Sequence, residues 1–302
     1  MRWSLAPVRG ILVLLIPAAI FAALLWASKW ALLENRRAEG PAAKVVQVTD
    51  SQALDRYPAF SPDGASIAFS SNRRGTFEIF TQSLPGGPPQ QITADGLQNV
   101  EPTWSPDGAS IAYTSQSRKG IFVIPASGGT PQKLTDFGAE PTWSPDNRLI
   151  AFRSETTIWV VSVQGGAPRA VTQANHPQGA HSSPRWHPDG MSILFMARNA
   201  ANSSAWLVRV REGGVTEVLA DPGENLAVTY SPDANSVLFA RLTGGQFMIQ
   251  RRVFRGMRTF DLLPLGQTAP MDISFDNIGR RAAYVLGDAP GKGNIYVSEL
   301  PR

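Results

Sequence analysis

The chain contains no cysteine. That absence removes disulfides, thiol nucleophiles and thiolate metal sites together, and it leaves the compartment open, since a cysteine-free sequence suits an exported protein and a cytosolic one equally. Histidine is almost as scarce, with His176, His181 and His187 confined to one short stretch. Charged residues make up only 17% of 302 positions against 43% hydrophobic, a balance that argues against disorder and for a packed core. No Gly-x-Ser-x-Gly elbow, Walker loop or His-Glu-x-x-His pair occurs, so the common routes to acyl transfer, nucleotide binding and zinc hydrolysis lack their signatures. No catalytic residue, metal site or cofactor is therefore expected, and the chain reads as a binding protein rather than an enzyme.

Excess positive charge is also smaller than it looks. A pI near 9.6 invites a nucleic-acid reading, but residues 1–43 hold +3 of the net +4, and the rest is nearly neutral. Arg251, Arg252, Arg255 and Arg258 fall among alternating residues of two expected strands, where a solvated outer strand explains them better than a polyanion site. No nucleic-acid partner is expected.

One long uncharged run is present, from Ile11 to Ala27, and apolar character resumes from Trp30 to Leu33. A bilayer core takes roughly 20 apolar residues as helix, and Trp26 and Trp30 suit its interfacial belt. Arg2 and Arg9 before the run would also suit a cleaved signal peptide, but no Ala-x-Ala site closes it, so residues 1–33 are expected to form an uncleaved transmembrane anchor, with 34–43 as a linker. Arg2 and Arg9 in front are outnumbered by Lys29, Arg36, Arg37 and Lys44 behind, which on charge alone would keep the following domain cytoplasmic.

From residue 44 onward a pattern repeats six times: an aromatic residue, Ser-Pro-Asp-Gly or a variant, then an apolar alternation ending in an aromatic. The copies open at Phe60, Trp104, Trp143, Trp186, Tyr230 and Phe275, and successive openings are 44, 39, 43, 44 and 45 residues apart. A period in the forties with an alternation of two denotes propeller blades of four strands, whereas helical repeats would alternate at 3.6. Ser-Pro-Asp-Gly has turn chemistry throughout, and sixfold repetition makes its serines and aspartates structural rather than catalytic. Glycine pairs at 86/87, 128/129, 165/166, 213/214 and 244/245 are read as the outer hairpins, and Trp104, Trp143 and Trp186 as packing between blades. The last copy stops after three strands, while Lys44–Thr49 matches the fourth strands Gln91–Thr93 and Lys133–Thr135; the first segment should therefore complete blade six.

The fold expected is an all-β, six-bladed propeller over residues 44–302, preceded by the anchor. These repeats resemble the WD40-like repeat of the TolB family, most clearly in blades one to four; Ala234 replaces glycine in blade five, and blade six lacks the proline. The resemblance implies an exported, protein-binding role, and hence an inner-membrane protein with a periplasmic propeller. TolB carries an additional α/β domain and binds an outer-membrane lipoprotein, so the likeness implies the propeller and not membership of the Tol system.

The candidate site comes from register. Where each blade's inner strand begins, the positions before proline or its equivalent are Tyr57, Glu101, Glu140, Ser183, Ala227 and Asp272, with Arg56 and Glu224 nearby. Loops of all blades converge there, so these residues are expected at the mouth of the central channel. Their carboxylates could receive a cationic peptide, a lysine-bearing tail or a cation, or could instead cap neighbouring loop amides. Tyr57, Ser183 and Ala227 interrupt the ring, which favours a protein or peptide receptor over a metal-dependent, lactonase-like hydrolase. His187 occupies a turn-serine position, while His176 and His181 are read as exposed loop residues rather than metal ligands.

Overall fold

The computed structural model describes residues 44–199, 203–219, 225–231, 233–289 and 291–301. The expected anchor and linker, and Glu224, lie outside the described residues. No helix among the described residues is long and apolar enough to cross a membrane.

Each repeat folds into one antiparallel sheet of four strands, giving six sheets among the described residues. Blade one comprises Asp55–Phe60, Ser66–Ser71, Glu78–Ser83 and Gln90–Gln91, and blades two to five follow in chain order with the same plan. Blade six contains Ile273–Phe275, Arg281–Ala289 and Lys292–Glu299, and its outer strand is Val45–Gln47 from the other end of the domain. Val46 lies opposite Val297 in an antiparallel pair, as the missing fourth strand required. The ring is thereby closed on a strand ladder rather than left with an open blade.

The repeated motifs do the same work in successive blades. Ser61 donates its hydroxyl to Asp63 at 2.6 Å while accepting the Ser66 N–H, and Asp63 accepts the Ala65 N–H; Ser105/Asp107, Ser144/Asp146 and Ser231/Asp233 repeat this clasp. His187 keeps part of it, accepting the Asp189 N–H through Nδ1. Position four of the turn needs positive φ, which Gly64 adopts at 67° and Asn147 and Ala234 adopt at 60° and 55°.

A second recurring lock is the threonine after each short outer strand. Thr93, Thr135 and Thr172 accept the N–H of Ile79, Ile121 and Ile158 at 2.9 Å, and Thr49 accepts that of Ile295 at the same distance. Thr49 thus does for blade six what its counterparts do within their own blades.

The core lies between blades. The alternation on each second strand gives the pairs Ile67/Phe69, Ile111/Tyr113, Ile150/Phe152, Ile193/Phe195, Val237/Phe239 and Ala282/Tyr284, all buried. Side chains on opposite faces meet different neighbours, so Phe69 packs with Ala283 and Val285 of blade six, while Ala68 and Ile79 pack with Ile111 and Tyr113 of blade two. Trp104, Trp143 and Trp186 add a stitch, each indole N–H donating to the inner-strand carbonyl of the preceding blade at Ala59, Thr103 and Thr142.

Two expectations are corrected. Gly244 and Gly245 join Ser236–Thr243 to Gln246–Val253, the second and third strands of blade five, and its outer hairpin turns instead near Gly256. His181 is fully buried, not an exposed loop residue: its ring lies between the Thr172 hydroxyl at 2.9 Å and the Pro177 carbonyl at 2.8 Å. Burial holds its imidazole below the ordinary histidine range.

Candidate functional site

An inner strand has one edge in a ladder and the other facing the axis, which is where a proline without an N–H is tolerated. In blades one to four the residue before that proline forms a bulge. Tyr57, Glu101, Glu140 and Ser183 have φ between 52° and 58°, and the ladder register shifts beside each of them. The bulge aims the amide N–H of the residue out of its own sheet, so each needs an acceptor from elsewhere.

For Tyr57, Glu140 and Ser183 the carboxylates of the ring supply it across the blade boundary. Asp272 accepts the Tyr57 N–H at 3.2 Å, Glu101 accepts the Glu140 N–H at 2.8 Å, and Glu140 accepts the Ser183 N–H at 2.5 Å. Each carboxylate also has a side-chain partner. Arg56 grips Asp272 with two bonds of 2.8 and 3.0 Å and stacks over Tyr57; Arg153 reaches Glu140 at 2.7 Å; the Thr114 hydroxyl donates to Glu101 at 2.8 Å. Of the two roles read from sequence, amide capping is the one these contacts express.

Arg56, Tyr57, Glu101, Glu140, Ser183, Ala227 and Asp272 all belong to this axial region, and all but Arg56 line a central cavity of about 580 Å³. Burial and the neighbouring Glu140 push the Glu101 carboxyl above the usual carboxylate range. Burial, partly opposed by Arg56, raises the Tyr57 phenol. Further along the cavity run Pro62, Pro106, Pro145 and Pro188 of the turns, so the lumen follows the inner strands from bulge to turn. Among the described residues no three histidines, aspartates or glutamates stand close enough to share a metal ion.

Register alone missed Arg185. It lies two residues beyond Ser183 and lines the same cavity, and its Nη1 donates to the Pro184 carbonyl at 2.8 Å. The signal was available: aligning the repeats on their opening aromatic places Ala59, Thr103, Thr142, Arg185, Thr229 and Ser274 in one column, and only blade four departs from a small side chain.

Comparison with known proteins agrees with this architecture. Residues 40–157 match the family model described as the TolB beta propeller domain. No protein of curated function matches the sequence. Among solved structures, a protein of Agrobacterium tumefaciens assigned as a TolB is 20% identical, with a TM-score of 0.62 over 86% of this chain and 98% of that one. TolB from Acinetobacter baumannii is 23% identical with a TM-score of 0.61, and the match covers 72% of this chain and 55% of that protein. Oligogalacturonate lyase from Vibrio parahaemolyticus, at 11% identity, gives a TM-score of 0.60 over 87% of this chain and 95% of its own. At these identities the structural likenesses establish the propeller fold and leave the chemistry to the channel itself.

Proposed function

We propose that this TolB-like propeller is a protein-binding module that receives an extended peptide segment of a partner in its central channel. In the same reading residues 1–33 hold the chain in the inner membrane with the propeller on the periplasmic side. The observation that carries the binding role is the lumen. It is a preformed cavity of about 580 Å³, within the size range of ligand sites, and it is flanked by prolines, threonines and aromatic edges. Three of its four bulged amides, those of Tyr57, Glu140 and Ser183, are satisfied by neighbouring carboxylates, which fixes the inner strands around the lumen. An extended segment suits such a tube better than a compact ligand. The uncharged run Ile11–Ala27 supports the membrane part, and the resemblance to exported propellers supports the side.

The alternative is a metal-dependent, lactonase-like hydrolase. It needs a convergent set of ion ligands, and the four lumen carboxylates Glu101, Glu140, Asp272 and Asp276 are engaged by amides, guanidiniums or a hydroxyl instead.

Cross-linking and affinity purification from alkaline-washed membranes tests the proposal, comparing the native chain with Ala227→Trp. Ala227 lines the lumen and takes part in none of the carboxylate–amide bonds, so a tryptophan there obstructs the channel and leaves the ring in place. Loss of the cross-linked partner from the folded variant is the expected result. Equal capture by both would move binding to another face, divalent-dependent lactone hydrolysis would favour the alternative, and absence of the chain from washed membranes would remove the anchor.

A further inference from the structure

Among the described residues four carboxylates line the channel, and Asp276 is held by Arg281; the other three, Glu101, Glu140 and Asp272, do not pair off evenly with Arg56, Arg153 and Arg185. Arg56 neutralises Asp272 and Arg153 neutralises Glu140. Glu101 and Arg185 remain. They do not bond to each other, and among the described residues the Arg185 guanidinium has no ion pair and one hydrogen bond, to the Pro184 carbonyl. A guanidinium carries five N–H donors in a planar fork, so most of that fork is left for an occupant of the lumen.

We infer that Arg185 is an anion-recognition point within the channel, and that the group it receives is a carboxylate of the bound peptide, either a chain terminus or an Asp or Glu side chain. This deepens the peptide-binding reading above and rests on it. The ring around Arg185 fits such a guest. Thr103, Thr142, Thr229 and Ser274 are its counterparts in other blades, and none of their hydroxyls has a hydrogen-bond partner among the described residues; the Ser274 hydroxyl is buried as well. Small side chains at this level leave room beside the arginine, and hydroxyls are donors to a carboxylate. Remaining acidity nearby is muted. Glu101 is held toward its neutral form by burial and by Glu140, and its Oε2 already accepts two hydrogen bonds. Burial draws the Arg185 guanidinium below the ordinary arginine range, opposed in part by Glu140 and Glu101.

The planar fork selects carboxylate and phosphate over a spherical halide, and the neutral hydroxyl ring favours the smaller, less charged carboxylate group. The test uses succinate, acetate and inorganic phosphate as probes on the full chain, each against sodium chloride at equal ionic strength, read as shifts in melting temperature. Succinate and acetate at tens of millimolar are expected to raise the melting temperature of the native chain by a few degrees, through preferential binding to the folded state. Arg185→Gln should abolish that shift and Arg185→Lys should keep part of it. An equal shift in Arg185→Gln would overturn the inference, as would a native chain that responds to the carboxylates no more than to chloride. A response to phosphate alone would overturn the carboxylate assignment. Because these probes need no protein partner, the outcome is independent of whether cross-linking recovers one.

Discussion

Glu140 joins two blades through one carboxylate. One oxygen accepts the amide of Ser183 in the following blade and the other holds Arg153 of its own blade. Truncation would leave a bulge amide and a half-buried guanidinium without partners, and the cost of such orphaned groups is about 1–3 kcal/mol. Glu140→Ala is therefore expected to lower the free energy of unfolding by about 2 kcal/mol in urea titration, and Glu140→Gln, which keeps an acceptor, by less. An unchanged midpoint for Glu140→Ala would show that water serves the Ser183 amide equally well. Sequence register was enough to bring Glu101, Glu140 and Asp272 to the axis, because inner strands repeat with the turns. It could not say where the carboxylates point. That depends on the positive φ of the residue before proline, a conformation that Tyr57 and Ser183 share with the glutamates and that their side chains do not announce. Arg185 was legible only by reading down the repeats, where its size and charge stand out against threonine, serine and alanine.

At the scale of the turn, the aspartate clasp makes stability depend on acid. The hydroxyl of the preceding serine and local amides hold Asp63, Asp107 and Asp146 below the usual carboxylate range; Asp233 is lowered by Ser231 and Asn235. A carboxylate whose folded value is depressed contributes stability that is present above its unfolded value, near pH 4, and lost as pH falls through the folded one. His181 acts at higher pH. Its folded value also lies below the unfolded one, near 6.5, so acidification beneath that point charges a buried ring and favours opening of the segment around it. Melting temperature against pH is thus expected to fall in two stages, a shallow one below about pH 6.5 that His181→Gln removes and a steeper one below about pH 4 that it leaves. A single step near pH 4 in the native chain would take His181 out of this account. The turns themselves were plain in the sequence, since serine, proline, aspartate and glycine each have a local backbone reason to be there. Gly244 and Gly245 were misplaced because paired glycines announce a hairpin without saying which two strands it joins. His181 was misread because a Pro- and Ser-rich neighbourhood resembles an exposed loop until the strand Ala180–Trp186 is seen to begin inside it.

For the whole propeller, everything depends on the ladder between Val45–Gln47 and Lys292–Glu299. Only three residues are paired there, yet Val48 joins the cluster of Phe60, Phe69 and Val285, its carbonyl accepts the Gln82 amide, and Thr49 locks Ile295. Removing residues 44–49 would expose the outer edge of blade six and uncover apolar groups shared with blade one. The shortened propeller is expected to melt at least 10 °C lower in calorimetry, consistent with the few degrees per kcal/mol of large domains, and to associate through the free edge in size-exclusion chromatography. Retention of the native melting temperature would mean that blade six stands on three strands. This closure was legible because the last repeat lacks a fourth strand and the first segment matches one.

That arrangement also orders events on the ribosome. The segment Lys44–Thr49 is made before any blade, and its partner Lys292–Glu299 is the last strand of the propeller in chain order. Blades one to five can each complete their sheet from strands already translated, but the opening strand must wait, unpaired, through the synthesis of about 240 residues, tens of seconds at usual elongation rates. A nascent chain interrupted before Lys292 therefore carries a strand whose mate has not yet been made.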